Sequence, residues 1–552
     1  MRWSAILPDV QIEELGSWEI TDKAAEQVVV AECADRGFED ARIVADATEQ
    51  VLIAMGDEGT SAQRYAWVVY TNNYYDDLDA AYLAHYVSAT GDYLYSIPVN
   101  ELSNADARAG DKAAFAFDQM QASTWSGTVT KHDGTQMDVE VPVLIDPESG
   151  DVVLGDAKRK ILCADYADFA FNDTLSPRVE GKDGFDSGEV LIYKTFIQVW
   201  DYYNDIGWNG PDDNGTPTLL MMDMVDEQGE VVQNAFYSDR QWGFQTFAFN
   251  RLDPDGECYD IIAHEFTHCV TGASMMSSVY LNDSGAINEG MSDIMGNLIE
   301  MAVAYDEDGA WVFGENGLEI MRSMKDPHAY RQPEYTWDMY YGPAANEATW
   351  ANDCGGAHIN ASLLGSISYR LGQAGMPNED QFYFWMNVIL AMTPSTDYPQ
   401  MAKLLPWCME EAGFTQYVDA VKQAVEEARL AQTEAPENPS GEGSYLKLAV
   451  PKDAAVSPSN MRLTINSVGD EAGGRSFITW VGADADTIVA NVPAGNYTFG
   501  MSYWDGENTI ADYVLTDDGW EQRVKEESGE NARTVSVEAG SVVELPVEGL
   551  AA

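Results

Sequence analysis

Apolar and polar positions change rhythm several times along the chain, and the changes mark its organisation. Residues 24–36 repeat apolar side chains at helical spacing, whereas 50–55, 65–70 and 82–87 read as strands. The run 86–95 reads as two strands joined at a Gly91-Asp92 turn. Together these elements predict a small α+β module over residues 1–120. Short alternating strands at 139–143 and 152–154 open a β-rich stretch that runs to about residue 255, and 190–203 carries apolar residues at the helical period. Beyond residue 358 the pattern is largely helical, at 361–373, 380–392 and 416–430. Residues 432–444 (QTEAPENPSGEGS) have the Pro, Gly, Glu and Ser content of a linker. After them, 445–450, 461–466, 476–480, 487–492, 497–504 and 534–537 alternate between Gly and Asn turns and predict an antiparallel β-sandwich over 445–552. The expectation is a multidomain α+β protein. It has a module at 1–120, a central region at 121–431 that is β-rich to about 255 and helical after it, and a C-terminal sandwich.

A length of 552 residues with 45% hydrophobic side chains suits several packed cores. Charge narrows the partners. Lys and Arg number 30 against 92 Asp and Glu, a net charge of −62. That balance excludes nucleic acid, whose phosphates need basic surface, and disfavours anionic membranes. No run of about 20 apolar residues reads as a transmembrane helix. The start, Met1-Arg2-Trp3-Ser4-Ala5-Ile6-Leu7-Pro8, lacks the apolar core of an export signal. Six cysteines show no C-x-x-C spacing, hence no second metal or redox motif. Cys269 and Cys354 lie close in sequence to motif histidines, and both a disulfide between them and two buried thiols fit that placement.

The densest chemistry lies at His264-Glu265-Phe266-Thr267-His268, followed by Glu289 in Asn288-Glu289-Gly290-Met291-Ser292-Asp293. On a helix, positions i and i+4 are about 400° apart and share one face. Two imidazoles there can grip one zinc ion, with Glu265 beside them as a base rather than a ligand. A His-His-Glu set leaves the fourth tetrahedral position open, as catalytic rather than structural zinc sites do. Ile261, Ile262 and Ala263 ahead of the motif predict a buried helix. His85, His132 and His328 fall outside every motif and are read as incidental.

The wider pattern resembles the thermolysin family of secreted zinc metallopeptidases. The resemblance is carried by His264-Glu265-Phe266-Thr267-His268-Cys269-Val270-Thr271 and by Ser284-Gly285-Ala286-Ile287-Asn288-Glu289-Gly290-Met291-Ser292-Asp293-Ile294. It is also carried by Asn234-Ala235-Phe236-Tyr237, Arg322-Ser323-Met324-Lys325-Asp326-Pro327 and Asp353-Cys354-Gly355-Gly356-Ala357-His358-Ile359-Asn360. The blocks stand in family order over roughly residues 120–430, with one extra residue before Tyr280. The resemblance implies a two-lobed peptidase, β-rich N-lobe and α-helical C-lobe, with 1–120 as an α+β pro-region.

It also implies roles. His264, His268 and Glu289 are the zinc ligands, and Asp293 orients His264. Glu265 is the general base for the attacking water. His358 and Tyr280 donate hydrogen bonds to the developing oxyanion, with Asp353 holding His358 oriented and charged. Asn234 and Ala235 pair with substrate as an added strand, and Arg322 binds a substrate carbonyl. Asp260, Glu300 and Glu315 match acidic positions that bind calcium in the family, with Asp306 or Asp308 completing the shell. Val312 stands where the family has another acid, so one Ca2+ is expected beside Zn2+.

The expected function is a secreted or cell-surface zinc endopeptidase made as a zymogen. It would cut protein or peptide substrates beside bulky apolar residues, in a pocket lined by Ile261, Phe313 and Met321. Two other readings stand beside it. A zinc aminopeptidase shares H-E-x-x-H and a distant Glu, but recognises a free amine with a Gly-Ala-Met-Glu-Asn block that this chain lacks. A surface adhesion protein would keep a degenerate peptidase domain and work through the sandwich, in which no chemical motif or partner is legible.

Overall fold

The computed structural model describes residues 18–35, 42–43, 48–55, 62–72, 82–91 and 93–99, then 115–250 less 132, 133, 173, 183, 227, 233 and 242. It further describes 258–304 less 276–279, 311–314, 321–337 less 331, 341, and 353–432 less 394 and 395. In the C-terminal part it describes 444–449, 461–468, 476–480, 487–492, 495–504, 509–523, 532–538 and 541–550. The chain forms two compact units. The first comprises Met1–Val279, Ser292–Met321 and Pro377–Ser395, and the second Tyr280–Met291, Arg322–Met376 and Thr396–Ala552.

The first unit opens with helix α1 (Asp22–Asp35) and strands β1 (Arg42–Ile43), β2 (Glu49–Met55), β3 (Ala62–Asn72), β4 (Tyr82–Ser88) and β5 (Tyr93–Val99). The strands form an antiparallel sheet ordered β1-β3-β4-β5, with β2 also on β3. On α1, Ala25, Val29 and Cys33 recur every fourth residue, so they share a face. That face is buried against Trp67, Val69 and Val87 of the sheet. Gly91 makes the expected turn at a φ of +98°, open to glycine at little cost, and its N–H donates to the Ser88 carbonyl at 3.0 Å.

A second sheet contains β6 (Gln121–Thr130), β7 (Gln136–Ile145), β8 (Val152–Asp156), β9 (Ile161–Asp165), β10 (Thr218–Met222), β11 (Ala235–Gln241) and β12 (Phe244–Phe249). Its order is β11-β12-β10-β9-β8-β7-β6, which makes β11 an edge strand. β10 runs parallel to both β9 and β12, and the remaining pairings are antiparallel. Every residue of β10 and β12 is buried, as strands covered on both faces must be. Helix α2 (Tyr166–Asn172) follows β9, and α3 (Ser187–Asp205) starts where the Asp186 side chain accepts from the Gly188 N–H at 2.9 Å. Helix α4 (Tyr259–Met275), the later part of α5 (Asn282–Val303), the short strand β13 (Val312–Phe313) and α8 (Asn378–Ala391) complete this unit.

The second unit holds the start of α5, the two-residue strand β14 (Arg322–Ser323), and helices α6 (Asp353–Asn360), α7 (Ser362–Gln373), α9 (Tyr398–Glu411) and α10 (Val418–Glu427). The apolar patterns at 361–373, 380–392 and 416–430 correspond to α7, α8 and α10. Helix α9 has no counterpart among the expected elements. It carries Pro406 in its interior and is started by a capping box in which Asp397 accepts from the Gln400 N–H at 2.8 Å.

The same unit ends in strands β15 (Ser444–Ala449), β16 (Met461–Ser467), β17 (Ser476–Trp480), β18 (Thr487–Val492), β19 (Gly495–Trp504), β20 (Thr509–Thr516), β21 (Gly519–Gln522), β22 (Val535–Val537) and β23 (Val542–Leu545). One sheet is ordered β18-β15-β23. The other is β17-β16-β19-β20-β21, with β22 on β19. Leu446, Leu448 and Leu545 of the first meet Leu463, Phe499 and Leu515 of the second in one apolar core. The sandwich departs from the antiparallel expectation in one place: β23 runs parallel to β15. The last strand follows β22 of the other sheet, so it reaches β15 by a crossover rather than a hairpin and is free to take that direction.

Candidate metal centre and catalytic groups

Helix α4 is buried because its non-catalytic faces are apolar. Ile261, Ile262, Ala263 and Phe266 are all buried, and the Phe266 ring stacks on Tyr203 of α3 at 4.9 Å. The Thr267 hydroxyl donates to the Ala263 carbonyl at 2.7 Å, so the Tyr203 hydroxyl is the donor in its own 2.7 Å bond to Thr267. These contacts set the rotation of α4 and turn His264 and His268 to one side, where their ring centroids lie 4.5 Å apart and nearly perpendicular. The Phe313 ring packs at 5.1 Å from His264, in a cluster with Ile261, Cys258 and Ala235. Met321, expected beside Ile261 and Phe313, is 42% exposed and outside that cluster.

On α5, residues 289, 292 and 293 stand at i, i+3 and i+4 and so share a face. Asp293 places Oδ1 at 2.8 Å from His264 Nδ1, and Ser292 places Oγ at 3.1 Å from His268 Nδ1. One ligand atom from each of His264, His268 and Glu289 lies within 4.8 Å of the others. The donor set fits zinc. Both rings turn Nδ1 to a protein partner, which leaves Nε2 as the metal-facing nitrogen, and the third donor is a carboxylate. His264, Glu265, Glu289 and Asp293 are 5, 7, 1 and 3% exposed, so their charges act where screening is weak. Glu265 accepts from the backbone N–H of Tyr237 on β11 at 2.8 Å.

In the second unit, α6 begins with four residues of left-handed backbone, Asp353 (φ +55°), Cys354 (+50°), Gly355 (+80°) and Gly356 (+87°). Gly355 has no alternative, since a Cβ there would lie 1.9 Å from Asn282 Oδ1. The turn aims Asp353 at His358: Oδ1 is 2.5 Å from Nδ1, while Oδ2 accepts from the Ile359 N–H at 3.0 Å. The other ring nitrogen, Nε2, lies 3.1 Å from the Tyr280 hydroxyl oxygen, and that hydroxyl donates to Glu289 Oε1. Burial opposes a charge on His358. The carboxylate of Glu289 and the bond from Asp353 outweigh it and hold the ring's pKa at about 9, although Arg322 pulls the other way. A charged ring is the donor on both sides. Burial, then the Glu289 charge, raises the Tyr280 hydroxyl well above its ordinary value, so it keeps its proton.

The remaining expected residues fall as follows. Asn234 is exposed just before β11, Ala235 is half-buried at its start, and Arg322 opens β14. Asp260 and Glu300 are 0 and 1% exposed in the first unit. Asp260 accepts from the N–H groups of Ile261 at 2.7 Å and of Gly314. Asp306, Asp308 and Glu315 lie outside the described residues, and among the described residues the zinc triad is the one group of three or more such ligands. All six cysteines are buried free thiols, so the Cys269–Cys354 disulfide is not formed. Two contacts to the site had no counterpart in the sequence reading: the Tyr237 N–H and the Ser292 hydroxyl.

Two family models match the chain, "Thermolysin metallopeptidase, catalytic domain" over residues 133–272 and "Thermolysin metallopeptidase, alpha-helical domain" over 277–430. The chain is 28% identical over 261 residues to a thermolysin of Alicyclobacillus acidocaldarius subsp. acidocaldarius, covering 44% of this chain and 45% of the relative. It is 24% identical over 406 residues to an extracellular elastase of Staphylococcus epidermidis, covering 60% of this chain and 75% of the relative. A zinc metalloproteinase of Renibacterium salmoninarum is 39% identical over 114 residues, covering 20% of this chain and 21% of the relative. The chain thus belongs to the thermolysin family of metallopeptidases, a zinc-dependent family. It spans about half the length of the thermolysins it matches, 45% for the one named.

The charge on His358 depends on its carboxylate partner. Replacing Asp353 with Asn should lower the ring's pKa from about 9 by roughly one pH unit, read by NMR titration of the metal-free protein. An unchanged titration would mean that the Glu289 charge alone sets it.

Proposed function

We propose that this chain is a secreted zinc endopeptidase, made with residues 1–120 as a removable pro-region, that cuts beside bulky apolar residues. The observation that carries the proposal is the His264-His268-Glu289 triad with Glu265 in the same helix turn, its carboxylate accepting from the Tyr237 N–H. Zinc bound there supplies Lewis acidity toward a peptide carbonyl and lowers the pKa of a water to about 7. Glu265 takes the proton from the attacking water and returns it to the leaving amine. The charged His358 and the protonated Tyr280 donate to the carbonyl oxygen as its negative charge grows. Arg322 offers a planar fork to a neighbouring substrate carbonyl.

Strand β11 supports an extended substrate. The Tyr237 N–H points to Glu265, away from β12. Backbone groups alternate along a strand, so Ala235 also turns its N–H and C=O to the open edge. A peptide adding there as a strand runs beside the general base. The preference for an apolar residue rests on the Ile261 and Phe313 cluster next to His264. Secretion rests on family membership and on a relative named an extracellular elastase; no described helix is long and apolar enough to cross a membrane.

One calcium ion is part of the proposal. It rests on the match of Asp260, Glu300 and Glu315 to acidic positions that bind calcium in the family, with Asp308 completing the oxygen shell. Asp260 and Glu300 are almost fully buried carboxylates of the kind calcium takes as ligands.

Glu265→Gln should keep its zinc and lose at least about 10²-fold in cleavage of casein and of N-blocked peptides. Full activity in that variant would remove the assignment. On storage, the wild-type chain should shorten by loss of roughly its first 120 residues, while Glu265→Gln stays at full length. Equal shortening of both would assign the cut to another protease. Calcium added to dialysed, zinc-loaded protein should raise Tm by several degrees (about 1–3 kcal/mol of binding linkage), and a Tm indifferent to calcium would dispose of that site.

A further inference from the structure

We propose that Ser292 is the positioning residue for the zinc ligand His268, so that one face of α5 supplies a metal ligand and the anchors of both histidines. The proposal rests on the zinc reading of the site. Its basis is the spacing on α5: Glu289 is the ligand, Ser292 follows at i+3 and Asp293 at i+4. Asp293 meets His264 Nδ1 at 2.8 Å, and Ser292 meets His268 Nδ1 at 3.1 Å. Ser292 is fully buried, so its hydroxyl is shielded from competing bulk water.

The two anchors differ in chemistry. A carboxylate can only accept, so Asp293, 2.8 Å from Nδ1, favours the His264 proton on that nitrogen. A hydroxyl can accept or donate, so Ser292 fixes the orientation of His268 and lets the ring's own chemistry choose the tautomer. With Nε2 committed to a metal, Nδ1 carries the proton and Ser292 Oγ accepts it. Without the hydroxyl the ring has less to hold it at the angle the metal requires. Partners of this kind are worth about 10–100-fold in metal affinity.

The test compares two pairs of nearly equal shape on the full chain: the natural Ser292 against Ser292→Ala, and Ser292→Thr against Ser292→Val. Zinc affinity is measured by competition with a chromophoric chelator, and the visible spectrum of the cobalt-substituted forms reports ligand geometry. In each pair the hydroxyl-bearing member should bind zinc about 10-fold or more tightly, the two hydroxyl members should share one cobalt spectrum, and the metal-free forms should melt alike. Equal zinc affinity within the pairs overturns the proposal. So does a weakening shared by Ser292→Ala and Ser292→Thr, which would make packing the cause. If Ser292→Ala or Ser292→Val fails to fold while Ser292→Thr folds, the hydroxyl serves the fold rather than the metal, and the proposal again falls. A natural chain that does not hold zinc against the chelator is a different failure, that of the zinc reading itself, and it takes this proposal with it.

Discussion

The chemistry depends on how closely α5 can approach α4. Gly296 makes that approach possible: a Cβ there would lie 2.5 Å from the Asp260 carbonyl oxygen, so any other residue would force the helices apart. With the axes that near, a carboxylate and a hydroxyl on α5 reach the Nδ1 atoms of both histidines on α4 without long side chains. Short side chains have few rotamers to lose, so the arrangement holds its geometry at a small entropic cost. Gly290 repeats the device in the second unit, where a Cβ would meet the Ala361 carbonyl oxygen at 2.7 Å.

Electrostatics explains why so many acids can be buried together here. Glu265, Glu289 and Asp293 are all less than a tenth exposed. Glu265 accepts from the Tyr237 N–H and Glu289 from the Tyr280 hydroxyl, while Asp293 lies 2.8 Å from His264 Nδ1. Part of the remaining negative charge is met by His358, which Glu289 and Asp353 keep protonated. A divalent ion on Glu289 would draw off some of the field that charges His358. Metal loading and the protonation of that ring are therefore linked, and each should be measured with the other held fixed.

The parts of this fold that show in the sequence are those whose geometry is local. H-E-x-x-H places its histidines by helical period alone, and the alternating strands of the N-terminal module and sandwich declare themselves through one buried face. Strands β10 and β12 do not, because burial on both faces erases alternation. Helix α9 hides behind Pro406, a residue that usually ends such a pattern. The parallel β15–β23 pair depends on a crossover, which no local signal encodes. The same distinction runs through the site. Asp293 was expected because a carboxylate beside a ligand motif has a recognisable role. The Tyr237 donor is a backbone group, and every residue but proline has one.

Strand β11 leaves one margin of its sheet unzipped, and such margins invite a second copy of the same protein to dock and spread. Here a glutamate guards the margin from within, and a net charge of −62 guards it from without. Two identical chains approaching edge to edge repel strongly, whereas a neutral or cationic peptide meets no such barrier. The acidity of the surface thus works as a sieve: it keeps the molecule from becoming its own ligand while leaving the slot open to others.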